Sequence, residues 1–327
     1  MKKDKKIKTI LIGTSEFAER VFRKIYPELI SEDFKVIAVI TAPDKPVGRK
    51  QELTPPPVKK WALEHNLFII QPEKIKNPEW IKKINELKPE LIILTAYGQI
   101  IPKEILDIPK YGALNIHPSL LPKYRGPSPI QTAILNSDKE TGVTIILMDE
   151  KMDHGPIISN SKFQIPNSKI TYEELSNKLA DLGAELLIKT LPDWISGKIK
   201  LQSQNHSKAT YTKIIKKEDG KINWNQSAEQ IERQVRAFHK WPGSFAKIES
   251  EESRIKNKTL KILEADVLKE NKTPKISQVI LVENQKLGVQ TRNGILILKK
   301  VQLEGKKPVS AKDFLNGYPE IIGAKLK

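Results

Sequence analysis

Asn115 and His117 stand two residues apart in the stretch NIHPSLLP, residues 115–122. In an extended segment, positions i and i+2 share a face. An amide donor and an imidazole that can carry a proton would therefore project together. Asp153 lies in the segment MDHG, just beyond the apolar run VTIILM. A carboxylate near an imidazole selects its tautomer and stabilises its charged form. An asparagine amide can donate to a developing oxyanion. Together the three groups suit acyl transfer: attack on a carbonyl, stabilisation of the oxyanion, and movement of a proton from nucleophile to leaving group. The chain contains no cysteine, and no serine sits in a nucleophile-elbow motif. Direct transfer without a covalent intermediate is therefore favoured. Ser119 can be read as a nucleophile, but its setting in HPSLLP suits a turn residue bonding its own backbone.

These residues must be carried to one place by the surrounding elements. Residues 7–12, 35–40, 67–70, 91–95, 111–117 and 143–148 are short apolar runs of the kind buried in parallel sheets. Helical patterns alternate with them. Residues 171–191 are the clearest, with a Thr171/Glu174 capping box. Thr14 is the expected N-cap of the first helix. The opening carries only Gly13 of a glycine-rich fingerprint, so no dinucleotide site is indicated. This alternation predicts an α/β fold with a Rossmann-like, mostly parallel sheet over residues 1–204. Were the runs 111–117 and 143–148 parallel neighbours, Asn115, His117 and Asp153 would meet at one sheet edge. Residues 41–57 read as a long Pro-rich loop carrying Lys45, Arg49 and Lys50 near Gly48. Such a loop is either plain surface or a basic arm for a phosphate-bearing substrate.

Residues 205–209 are the expected linker. Beyond it the pattern changes to one helix, residues 227–239, followed by five short alternating runs and an Asn293-Gly294 turn signal. A small OB-like antiparallel β-barrel is predicted for residues 210–327. The net charge is +17, of which +11 falls in residues 207–327. That excess indicates either an anionic macromolecular partner, nucleic acid before membrane, or solvated lysine-rich faces. No histidine pair has metal-ligand spacing, and no metal is expected. Residues 1–17 have a basic start but an apolar run of only about five residues, short of a signal peptide. No run approaches a membrane span. A cytoplasmic monomer without membrane association is expected.

The stretches NIHPSLLPKYRGPSPIQTAI and ETGVTIILMDEKMDHGPII resemble the folate-dependent formyltransferases. The resemblance covers nearly the whole chain. It implies that Asn115 polarises a formyl oxygen, that His117 stabilises the tetrahedral intermediate and helps protonate the departing folate nitrogen, and that Asp153 tunes His117. It also implies 10-formyltetrahydrofolate as co-substrate. Ser119, Leu120, Leu121 and Pro122 would wall the folate pocket, with Ala96, Tyr97 and Gly98 facing the pterin. The segments TAPDKPVGRKQELTPPPVK, AYGQIIP, DGKINWNQSAEQIERQVRAFHKWPGSFA and LEGKKPVSAKDFLNGY resemble family members that act on initiator methionyl-tRNA. On that likeness Arg49, with Lys45 and Lys50, meets the acceptor arm, and the barrel holds the tRNA. The alternatives are an amino-sugar nucleotide or other small amine as acceptor, or a non-catalytic nucleic-acid-binding protein. The last should have lost one of Asn115, His117 and Asp153, and all three are present.

Overall fold

A computed structural model describes residues 6–31, 33–48, 51–166, 169–250, 254–273 and 275–327. Arg49 and Lys50 lie outside the described residues. The chain divides into two compact units. One comprises residues 1–129, 139–165 and 176–213; the other comprises residues 130–138, 166–175 and 214–327.

The first unit is built on a seven-stranded sheet. In chain order its strands are β1 (Ile7–Ile12), β2 (Phe34–Ile40), β5 (Ile69–Ile70), β6 (Leu91–Leu94), β7 (Ala113–His117), β8 (Glu140–Leu147) and β9 (Ile157–Gln164). The spatial order is β5-β2-β1-β6-β7-β8-β9. From β5 to β7 all neighbours are parallel. Their side chains are nearly all buried, because helices shield a parallel sheet from water. Ile10, Ile12, Ala38, Ile40, Ile92 and Leu94 form an apolar layer under α3 (Pro78–Leu87) and α4 (Lys103–Leu106). Elsewhere α1 (Glu16–Ser31) approaches β1 so closely that a Cβ at Gly13 would lie 2.6 Å from the Ala18 Cβ. Only glycine leaves that space. The long helix α6 (Tyr172–Ile195) is joined to α1 by Arg20 and Asp181 at 2.7 Å.

Four local expectations are revised. β8 runs antiparallel to β7, with His117 opposite Thr144 and Leu114 opposite Leu147. The end of β8 therefore lies beside the start of β7. β9, which the sequence reading left out, continues the antiparallel edge. Its residues alternate between inward and outward faces, and an edge strand tolerates polar residues outward. Residues 41–57 are not all loop: β3 (Lys45–Val47) and β4 (Glu52–Thr54) form a two-stranded ribbon leading into α2 (Pro57–Glu64). Ser15 rather than Thr14 caps α1, accepting the Ala18 amide at 3.4 Å. The Thr14 hydroxyl instead accepts the Ala42 amide and donates to the Tyr97 carbonyl, tying together the ends of β1, β2 and β6.

The second unit is an antiparallel sheet whose order is β12 (Val279–Val282), β13 (Lys286–Gln290), β14 (Ile295–Leu303), β11 (Thr259–Leu268), β10 (Ser244–Glu249) and β16 (Lys325–Leu326), with β15 (Val309–Ser310) beside β14. A bridge between Gln278 and Lys325, with Val279 donating to the Ala324 carbonyl, brings the two edges together into a nearly closed barrel. Closure removes most free sheet edges. The core packs Ile231 and Val235 of α7 (Ala228–Ala237) against Leu260, Ile262, Leu296 and Leu298. The expected Ser227/Gln230 capping box starts α7.

Candidate active site

β7 carries two polar residues in an otherwise apolar strand. Asn115 is 7% exposed and His117 is 5% exposed. They share a face, as an extended strand requires, and both reach one carboxylate oxygen. Asn115 Nδ2 donates to Asp153 Oδ1 at 3.1 Å. His117 Nδ1 lies 3.5 Å from the same oxygen. Asp153 Oδ2 accepts the Gly126 amide at 2.7 Å. The carboxylate is thus held by groups from both sides, and hydrogen bonds to a charged acceptor are the stronger kind.

Asp153 reaches this point by a fold-back. The antiparallel β8 delivers the chain to the start of β7, and residues 148–156 return alongside it. Two features shape the return. Asp153 itself has φ 48, a left-handed conformation that aspartate tolerates better than most residues. At Gly155 a Cβ would collide with the Leu147 carbonyl oxygen. The three predicted residues are therefore assembled, through an antiparallel pair and a recurved loop rather than through parallel strand ends.

His117 Nε2 lies 2.9 Å from the Tyr124 carbonyl. A carbonyl only accepts, so Nε2 carries the hydrogen. Nδ1 is left facing Asp153 Oδ1, 3.5 Å away. The carbonyl of Tyr124 and the amide of Gly126 are main-chain groups with no side-chain signature, so the sequence reading missed both. Thr144 was missed too. Its hydroxyl accepts the Leu121 amide at 3.1 Å and donates to the Ser119 carbonyl at 2.7 Å, pinning the segment after β7. The inward polar position in the run VTIILM was the available signal.

The predicted folate contacts fall into two groups. Ser119 is buried and donates to the Lys123 carbonyl at 2.6 Å, as a turn residue. Leu121 is buried with Ile146 and Ile157. Leu120 and Pro122 remain half-buried. Ala96 (φ 46) and Gly98 (φ 85) are exposed, and nothing lies within 4 Å of a Cβ built at Gly98. This bare backbone follows β6, at the point where strand order reverses between β1 and β6, the usual crevice for a ligand. There the Ala96 carbonyl accepts the Thr14 amide at 3.2 Å and the Tyr97 carbonyl accepts the Thr14 hydroxyl at 3.4 Å, which pins the turn to the end of β1. Tyr97 turns inward, and burial pushes its hydroxyl above the usual phenol range.

Of the remaining candidates, Lys45 is exposed at the start of the ribbon. The ribbon is anchored at its base, where Lys59 and Gln71 both bond Asp44. The Gln71 hydrogen bond, then Lys59, holds the Asp44 carboxyl below its ordinary value. Val47 and Leu53 stand 55% and 68% exposed on the ribbon. Among the described residues no group of three or more His, Asp or Glu side chains is placed to hold a metal, and no helix is long and apolar enough to cross a membrane.

A buried Asn–His–Asp cluster on a mostly parallel sheet, followed by a small barrel, defines the class. The sequence matches Formyl transferase over residues 5–191 and Formyl transferase, C-terminal domain, over residues 214–319, and the chain belongs to this family. Among its relatives, the methionyl-tRNA formyltransferase of Caldicellulosiruptor saccharolyticus is 42% identical over 312 residues, covering 94% of this chain and 96% of that one. That of Bacillus subtilis is 39% identical, covering 94% of each. A solved structure of an N-formyltransferase from Helicobacter canadensis with folinic acid and dTDP-3-aminofucose has a TM-score of 0.62 at 23% identity, covering 89% of this chain and 98% of that chain. HypX from Aquifex aeolicus with tetrahydrofolic acid has a TM-score of 0.62 at 18% identity, covering 94% of this chain and 46% of that chain. These two likenesses concern the fold.

Proposed function

We propose that this chain transfers the formyl group of 10-formyltetrahydrofolate to the amino group of initiator methionyl-tRNA. The observation that carries this reading is the extent of the match. Relatives named methionyl-tRNA formyltransferase align over 94% or more of the chain, barrel included. The +11 charge of residues 207–327 supports an RNA partner for the barrel.

In this reading Asn115 commits one amide hydrogen to Asp153 and offers the other to the formyl oxygen. The amine nitrogen bonds to the formyl carbon, and negative charge grows on that oxygen. Asn115 and His117 stabilise it in a site shielded from water, where such interactions are strongest. The bond from the formyl carbon to the folate nitrogen then breaks. His117 passes a proton from the attacking amine to that nitrogen, while Asp153 balances the charge on the ring. Lys45 on the ribbon, with Arg49 and Lys50 a few residues further along the sequence, engages the acceptor arm. The backbone of Ala96, Tyr97 and Gly98, with Leu120 and Pro122, faces the folate.

The test offers the purified protein 10-formyltetrahydrofolate with initiator methionyl-tRNA, with dTDP-amino sugars, or with free methionine. Formyl-methionyl-tRNA as the main product is expected. Formylation of the amino sugar without formyl-methionyl-tRNA overturns the reading.

A further inference from the structure

Arg125 is 1% exposed, yet each side-chain partner of its guanidinium is neutral. Its Nε and Nη2 donate to Gln204 Oε1 at 3.2 and 2.6 Å. Nη2 also donates to His206 Nδ1 at 2.8 Å, and Nη1 to the Tyr211 hydroxyl at 3.2 Å. A buried cation without a carboxylate is costly unless its donors are well used. Here they organise one short segment, residues 204–213, of which residues 205–209 are the expected linker.

That segment grips the catalytic cluster from two directions. On one side, Gln204 Nε2 donates to the Asp153 carbonyl at 2.9 Å and to the Gly155 carbonyl at 2.7 Å. These two carbonyls flank His154, whose ring stacks on His206 at 4.0 Å and 3°. The recurved loop carrying Asp153 is therefore held on both sides of one residue and along a ring face. On the other side, Thr210 accepts the Tyr124 amide through its hydroxyl at 2.9 Å and the Arg125 amide through its carbonyl at 2.8 Å. Thr212 donates back to the Arg125 carbonyl at 2.8 Å. This ladder fixes Tyr124, whose carbonyl sets the His117 ring. One segment thus holds both neighbours of the His117–Asp153 contact.

We propose that residues 204–213 form a positioning strap, in which Gln204, oriented by Arg125, sets the separation of His117 and Asp153. Gln204 faces both ways. Its oxygen is consumed by Arg125 and its nitrogen by the Asp153 loop. A glutamate there keeps an acceptor for Arg125 but turns an oxygen towards two carbonyls. A methionine fills the space and bonds neither. Neither Gln204 nor Arg125 is assigned contact with substrate; they act through His117 and Asp153. The proposal rests on the formyl-transfer reading for its kinetic consequence and on geometry alone for its structural one.

The test compares the full-length parent with Gln204→Glu and Gln204→Met. Misplacing a reacting group by about 1 Å costs up to roughly 100-fold, so kcat should fall about 10- to 100-fold in both variants. KM for folate and for methionyl-tRNA should stay within about twofold, and the melting temperature of Gln204→Glu close to the parent's. Independently of any substrate, nitrogen NMR of the ring should show the His117 signals displaced in both variants. Parent-like kcat, or unmoved His117 signals, overturns the strap. So does a loss of kcat that follows loss of folded protein, because that marks a structural role. If the parent forms no formyl-methionyl-tRNA, the proposed reaction fails, while the NMR comparison still decides the strap.

Discussion

His117 Nδ1 lies 3.5 Å from Asp153 Oδ1, the oxygen that also accepts the Asn115 amide. One carboxylate atom therefore faces both the candidate oxyanion donor and the candidate proton carrier. Asp153→Asn should keep an acceptor for the Gly126 amide while removing the charge that balances His117. The expected loss in kcat is about 100-fold, with KM for folate changed little. Steady-state rates over a range of folate concentration check this. An equal rise in KM would instead mean that Asp153 holds the folate.

Asn115→Ala and His117→Ala should each lower kcat by about two orders of magnitude or more, as for an oxyanion donor or an acid–base group. The double variant should lose much less than the product of the two, since both act through Asp153 and neighbouring sites couple. A parent-like rate in either single variant would end its catalytic assignment.

Gly155→Ala tests the recurved loop. Its Cβ would strike the Leu147 carbonyl, so the backbone must move. Overpacking of this kind costs about 1–3 kcal/mol. The displaced loop should also lower kcat about tenfold or more, through Asp153. Thermal melts and formylation rates measured on the same preparation check both effects. A loss of stability at full activity would mean that the loop's exact course is unimportant to the chemistry.

Much of this site was legible because the informative features were local. The i, i+2 spacing of Asn115 and His117 required one face of one strand. The capping boxes at Thr171/Glu174 and Ser227/Gln230 are likewise contained in four residues. The direction of β8 was not legible, because parallel or antiparallel pairing is a long-range choice that the apolar run VTIILM does not encode. The Tyr124 carbonyl and Gly126 amide belong to the main chain, which every residue shares. Gln204 looked like one polar residue among several in QSQNHSK, and only burial against Arg125 separates it from its neighbours.

The His154–His206 stack carries a pH dependence whose sign follows from its partners. His206 has its pKa lowered, first by desolvation and then by the positive charge of His154 and Arg125, with Lys151 adding to this and Asp149 opposing it. A lowered imidazole pKa means the folded state favours the neutral ring. The associated stability is present above the unfolded value near 6.5 and is lost as pH falls below it. Protonation would also take the lone pair that accepts Arg125 Nη2. The melting temperature should therefore drop between pH 7.5 and pH 5.5, and His206→Asn should drop less. Identical drops in the two proteins would remove His206 as the cause.

The ribbon β3–β4 carries the last prediction. Its base is anchored through Asp44, and the sequence from Lys45 to Lys50 carries the cations that the family resemblance assigns to the acceptor arm. Each phosphate neutralised contributes roughly 0.9 to the slope of log affinity against log salt. Arg49→Ala should therefore weaken tRNA binding and reduce that slope by about one, while folate KM stays the same. The barrel's charge should keep a substantial slope in the variant, because most of the excess lies in residues 207–327. Filter binding of initiator tRNA across a salt series, with folate KM measured in parallel, separates the two contributions. If Arg49→Ala impairs folate and tRNA use alike, the ribbon is a structural element of the active-site wall. If it alters neither, the acceptor arm is held by other residues.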